Sequence, residues 1–287
     1  MQSEEKKIVT PFEPWKIFAF EAFLFSLTLG LGIATASKTS KFLEQEKITP
    51  PQISLFGFIF YFLLATLVIF FLSQLFRFRK NKALVFKTLF TLAIFSGGIT
   101  VFSTWLPDTI SLILITLLLL WWFKKPAIFI QDLLIILGVA GAGSLIGLAL
   151  SPSIVVLLLM LFSIYDFIAV YKTKHMIKMV KEMMESQAIL ALVVPPNISG
   201  FKESIKEVKP GGKFLILGGG DMVFPLLFSV SLVPFGLIRA LVVAFFSLIG
   251  LFFGFFFFIS QKRRQPIPAL PPIALFSIIG YLITLFI

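Results

Sequence analysis

Apolar residues in this chain come in long runs broken by short polar or proline-bearing turns. A helix that crosses hydrocarbon needs about 20 mostly apolar residues. Nine runs approach or meet that length, near residues 15–36, 53–76, 83–105, 107–123, 128–149, 152–172, 213–234, 236–259 and 267–286. Pro14, Pro51, Pro107, Pro126, Pro152, Pro234 and Pro268 stand at or near their starts, where a missing N–H costs a helix little. The pattern predicts an all-α polytopic membrane protein with nine transmembrane helices. Residues 1–287 form one domain: spans one to six in 15–172, a loop over 173–212, and spans seven to nine in 213–287. Leu190–Val194, inside that loop, is a further apolar segment and a candidate strand.

Composition agrees with this picture and removes whole classes of chemistry. The 287 residues are 58% hydrophobic and only 14% charged, against about 25% charged in soluble domains. There is no Cys and a single His, His175, which excludes disulfides, thiolate metal sites, thiol nucleophiles and multi-histidine metal centres. Neither a metal nor an organic cofactor is expected. The net charge of +11 would suggest nucleic acid in a soluble chain, but here its distribution reads differently. Twenty-one of the 25 Lys and Arg fall in alternate connections, leaving Lys38, Lys41, Lys47 and Arg239 on the other side. By the positive-inside rule the N-terminus is cytoplasmic, the C-terminus is outside, and the protein is a multi-pass protein of the cell membrane. Lys6, Lys7 and Ala34-Thr35-Ala36 imitate a secretory signal, but the first apolar run is too long for one and contains Glu21. In the loop, Met176, Met179, Val180, Met183 and Met184 fall on one helical face opposite lysines and glutamates, as in a surface-lying amphipathic helix. Trp15, Trp105, Trp121 and Trp122 fall at span ends, as in an interfacial belt.

Four acidic residues lie in or just inside apolar runs: Glu21, Asp132, Asp166 and Asp221. An ionisable group in hydrocarbon costs at least about 2.5 kcal/mol, so each calls for a reason. Glu21 follows Lys16 by five residues and can pair with it or with a headgroup, and Asp132 can be satisfied by water or by Lys124 and Lys125. Asp166 lies six residues before Lys172, and Asp221 lies eight after Lys213. At the helical rise these are depths of about 9 and 12 Å below the same face, on consecutive antiparallel spans. Two carboxylates held together cannot both ionise readily and share a proton. One can then draw a proton from water while the other protonates a peptide carbonyl, chemistry that needs no Cys, His or metal. The alternative is two unrelated buried acids, each satisfied locally.

The surroundings favour the pair. Leu217-Gly218-Gly219-Gly220 leads directly into Asp221, giving room for a second backbone or for a loosened helix. Tyr165 precedes Asp166 and offers a hydroxyl. Pro268-Ala269-Leu270-Pro271 opens the last span near the same face, and its prolines favour an extended segment whose free carbonyls can meet a peptide.

Tyr165-Asp166, Gly218-x-Gly220-Asp221 and Pro268-Ala269-Leu270, in this order in spans six, seven and nine, resemble the presenilin and signal peptide peptidase family of intramembrane aspartic proteases, most of all its prokaryotic presenilin-type members. The resemblance implies that Asp166 and Asp221 are the catalytic pair and that Gly218 and Gly220 shape the approach. It also implies that Pro268, Ala269 and Leu270 dock substrate, with Tyr165, Leu217 and Gly219 in support. Expected partners are transmembrane helical proteins or peptides as substrates and the lipid bilayer, with no nucleic acid; a homo-oligomer is left open. The chain departs from the family pattern in the additional glycine at Gly219.

Two rival readings stand beside this one: a proton-coupled transporter with Asp166 and Asp221 as a relay, and a non-catalytic helix-binding chaperone, which would tolerate Asp-to-Asn changes. Gly141-Ala142-Gly143 with Gly147 lacks the spacing and the preceding strand of a dinucleotide loop and reads as close helix packing.

Overall fold

The computed structural model describes residues 13–75, 82–173, 183–184, 187–209, 212–261 and 265–286. The amphipathic segment around His175, apart from Met183 and Met184, and the cations Arg77, Arg79, Lys80, Lys262, Arg263 and Arg264 lie outside the described residues. Within them the helices are α1 (Pro14–Gln45), α2 (Leu55–Leu75), α3 (Lys82–Trp105), α4 (Asp108–Lys124), α5 (Ile128–Leu148), α6 (Pro152–Tyr171), α7 (Gly219–Ser231), α8 (Leu237–Ile259) and α9 (Leu270–Thr284). Strands β1 (Ala191–Val194) and β2 (Leu215–Gly218) form one antiparallel pair.

By length and apolarity α1, α3 from Phe86, α5, α6 and α8 can each cross a membrane; the apolar stretches of α2, α7 and α9 are shorter. In the secondary-structure elements, expectation and structure differ in three places. Helix α1 runs nine residues past 36, because Ser37–Gln45 contains neither Pro nor Gly to stop it. The small sheet departs from the all-α expectation. The seventh run is not one helix from 213: its first four regular residues are extended, and α7 begins only at Gly219.

Helix α5 is the hub, packed against α1, α3 and α7. Glycine permits the close approach. A Cβ on Gly141 would collide with the Gly97 backbone of α3, and one on Gly147 would lie 2.6 Å from Val230 of α7. Small residues let membrane helices approach to backbone contact, which replaces a hydrophobic driving force that lipid does not supply. The Gly141-to-Gly147 stripe is therefore packing, as its sequence spacing implied. Helix α7 is short and almost wholly buried, with Phe228 fully enclosed and set 5.2 Å from the ring of Tyr281 on α9. Helices α8 and α9 pair through Gly250 and a 2.7 Å hydrogen bond between the hydroxyls of Ser247 and Ser277. Outward faces of α2, α4, α6 and α8 carry exposed Phe, Leu, Ile and Trp, as lipid-facing surfaces do.

Strand β1 is buried on both faces, which explains why it reads as the unbroken apolar run Ala-Leu-Val-Val, while β2 is mostly half-buried. Leu192, Val194, Leu215 and Leu217 join the main core. Ala191, Val193 and Ile216 pack into a separate small cluster with Ile128, Ile205 and Val208.

Candidate active site

Helices α6, α7 and α9 pack on one another, and the two predicted acids meet where they converge. Asp166 projects from the last third of α6 and Asp221 from the first turn of α7; both are buried, and their carboxyl groups lie within electrostatic range of each other. A turn away, the rings of Phe162 and Phe224 stack with centroids 4.4 Å apart and tie α6 to α7 directly above the acids.

Each carboxylate has one backbone donor, and local sequence explains both. Asp221 is the third residue of α7, after Gly218 as N-cap. At that position a carboxylate reaches back to the N-cap N–H, and the Asp221 carboxylate accepts from Gly218 in this way. A Cβ on Gly218 would stand 3.0 Å from the Asp221 Oδ2, so glycine keeps the approach open. Asp166 Oδ2 accepts from the Leu270 N–H at 3.3 Å. Leu270 is the first residue of α9, and Pro271 and Pro272 follow. The prolines carry no N–H, so Leu270 presents the remaining free donor of that first turn to Asp166, at the positive end of the helix dipole.

The proline-flanked motif therefore works differently from the extended segment expected of it. Ala269 has helical dihedrals (φ −86°, ψ −29°), Leu270 starts the helix, and the Leu270 side chain is buried in the main core. Its contribution at the acids is a backbone donor. Pro268 is buried and Ala269 half-buried beside it.

The three glycines are not equivalent. Gly219 N–H donates to Leu190 O at 3.0 Å, and a Cβ there would come within 2.8 Å of the same oxygen. At Gly220, which is exposed, the nearest atom to a Cβ is 3.9 Å away, on Phe224. Leu217 is buried in the core beneath β2. Tyr165, expected beside Asp166, is 59% exposed on the outer side of α6, because neighbouring helical residues point about 100° apart.

The other two acids are placed differently from expectation. Lys16 pairs with Glu13 at 2.7 Å, leaving Glu21 buried in the face of α1 that packs toward α7, with Oε2 lacking a hydrogen-bond partner among the described residues and Asp221 within electrostatic range. Asp132 is buried rather than set at a wet helix end beside Lys124 and Lys125, and its Oδ1 accepts from Val193 N–H at 2.8 Å. Trp122 also leaves the interfacial belt. It is buried and donates to Gln131 Oε1 at 2.7 Å, whereas Trp15, Trp105 and Trp121 are half exposed. Gln131 escaped a sequence reading focused on charge, although an uncharged amide inside an apolar run is itself a signal.

Two buried carboxyls from separate apolar helices thus lie within electrostatic range of each other. The signal-peptide peptidase, presenilin aspartyl protease family matches residues 21–287, and the chain belongs to that family. It is thus an aspartic endopeptidase of the intramembrane-cleaving kind. Two crystal structures of a presenilin family intramembrane aspartate protease share its fold. The C222 form has 22% identity and a TM-score of 0.62, covering 94% of this chain and 97% of that one. The P2 form has 22% identity and a TM-score of 0.63, covering 92% and 96%. No curated protein matches the chain.

Proposed function

We propose that this protein hydrolyses peptide bonds in or near transmembrane segments of other membrane proteins, with Asp166 and Asp221 as the catalytic dyad. The observation that carries the reading is the meeting of two buried carboxyls from separate helices, each held by one backbone N–H. The dyad holds one proton between its carboxyls. The ionised member takes a proton from water as the oxygen attacks the scissile carbonyl carbon, and the protonated member gives its proton to the carbonyl oxygen. Collapse of the tetrahedral intermediate breaks the C–N bond, protonates the leaving amine and yields a carboxylic acid, with the dyad again holding one proton. Held acid and base of this kind contribute about 10²–10⁴-fold each.

A substrate helix must unwind before such a site can reach its backbone, and the edge of β2 offers the exposed bonds new partners. The Gly219–Leu190 bond fixes the alternation of the ribbon, so Ile216 turns its N–H and C=O away from β1, toward the side from which a third strand can add. The strand runs directly into Asp221. Gly220, Pro268 and Ala269 are read as bordering this approach, on the motif order that places them beside the acids. The nine α-helices among the described residues are read as nine membrane crossings with the N-terminus cytoplasmic, on the bias of 21 cations against four, which puts the dyad toward the inner leaflet. A proton-relay transporter finds no support in the family or its structural relatives.

Purified protein in liposomes with a single-span substrate tests the proposal. Wild type should cut, while Asp166→Asn and Asp221→Asn should each lose about 10³-fold or more in rate. Equal cutting by all three would refute it.

A further inference from the structure

Strand β1 has two edges, and the one facing away from β2 is bound to α5 at Val193. On that side Val193 N–H is held by Asp132 Oδ1 at 2.8 Å. Four residues earlier, Ile189 O is held by Gln131 Nε2 at 2.6 Å. The Gln131 amide can point only one way, because Trp122 Nε1 donates to its oxygen at 2.7 Å and an indole N–H cannot accept. The segment beyond β1 is bound to the same end of α5, with Ile128 N–H to Glu203 O at 3.0 Å and Ile205 N–H to Pro126 O at 2.8 Å. All of these groups are protein-internal, and Gln131 and Asp132 are fully buried.

We infer that Gln131 and Asp132 are positioning residues which clamp β1 to α5, closing one edge of the ribbon and leaving β2 as its single open edge for the substrate strand. The inference rests on the protease reading of the site. The clamp reaches Asp221 through a continuous path: α5 holds β1, Leu190 O just before β1 accepts from Gly219 N–H, and Gly219 is the first residue of the helix whose third residue is Asp221. Without the clamp, an unpartnered β1 edge would invite strand addition on the wrong side, and β1 could shift against β2. A slip moves every backbone group of a strand relative to its neighbour, so the bond presented to the dyad would change with it. The clamp thus acts on which bond is cut.

Two readouts separate the clamp from the enzyme. Amide hydrogen exchange without substrate should find Val193 protected in wild type, at least tenfold faster in Asp132→Ala, and protected again in Asp132→Asn, whose side-chain oxygen accepts the same bond. Mass mapping of products from a single-span peptide should find the wild-type cleavage positions spread by two or more residues in Asp132→Ala and restored in Asp132→Asn. Trp122→Phe, which keeps a packed ring but frees the Gln131 amide to rotate, should spread them less and covers the case in which Asp132→Ala does not fold. Rapid exchange at Val193 in wild type, or unchanged cleavage positions in a folded Asp132→Ala with exposed Val193, would overturn the clamp. Protection at Val193 together with a wild type that does not cut would instead sink the protease reading and leave the clamp standing.

Discussion

Replacing Gly219 by Ala tests how the structure connects the ribbon to Asp221. A Cβ at this position would lie 2.8 Å from Leu190 O, about 0.6 Å short of the 3.4 Å at which ordinary contact begins. The obstructing atom is a backbone oxygen immediately before the paired strand β1, so it cannot swing aside as a side-chain tip would. The same oxygen accepts the Gly219 N–H at 3.0 Å. A retreat of about 0.6 Å stretches that bond past the range in which N–H···O bonds hold. The bond is worth about 0.5–1.5 kcal/mol, and overpacking adds about 1–3 kcal/mol. Against these stands the helix preference of Ala over Gly, about 1 kcal/mol. The balance is a loss of about 1–3 kcal/mol, a few degrees in unfolding temperature, concentrated two residues from Asp221. Thermal unfolding in detergent and initial cleavage rates of a single-span substrate measure the two effects. Gly220→Ala is the control for stability: its Cβ meets nothing nearer than 3.9 Å, so this variant should unfold at or slightly above the wild-type temperature. A Gly219→Ala protein as stable and as active as wild type, or a Gly220→Ala protein that unfolds earlier than Gly219→Ala, would refute the reasoning.

Other expectations follow from single contacts. Gly250→Ala puts a Cβ 2.6 Å from Ile273 Cα and Pro272 O, pushing the start of α9, and with it the Leu270 N–H, away from Asp166; a displacement approaching 1 Å should cut the cleavage rate by about ten- to a hundredfold, read in the liposome assay. Glu21→Leu removes a buried oxygen that has no partner, a group whose burial costs about 1–3 kcal/mol, so unfolding temperature should hold or rise; a clear fall would mean that Glu21 has a structural bond in the folded protein. Lys213→Ala breaks the 2.7 Å pair with Glu203, but Lys213 is half exposed, so the change in stability should stay below about 1 kcal/mol by chemical denaturation.

Much of this protein is legible in its sequence because membranes impose strong local rules. Hydrocarbon demands long apolar helices, and the runs that supply them are visible as such; a helix lies in each predicted place. The same rule made four buried acids conspicuous, and the motif order around Asp166 and Asp221 pointed to one family before any contact was known. The candidate strand at Leu190–Val194 also appears, as β1 from Ala191. Depth counted at the helical rise, however, assumed that 213–221 was helix, and the chain there is extended through Gly218. The acids come together because α6, α7 and α9 converge, which residue counting does not contain.

What composition and periodicity determined, then, was class: a helical membrane protein without thiols, with carboxyls as its main chemical resource. Tertiary structure alone decided which groups those carboxyls serve. Asp132 and Glu21 looked alike in sequence, as acids near a lysine, yet one holds a strand edge and the other lies partnerless toward α7. Pro268-Ala269-Leu270 suggested free carbonyls and instead delivers one N–H, because two prolines strip the other donors from that helix end. A hydrogen bond joins groups far apart in the chain, Leu270 to Asp166 or Val193 to Asp132, and sequence records the groups but not their meeting.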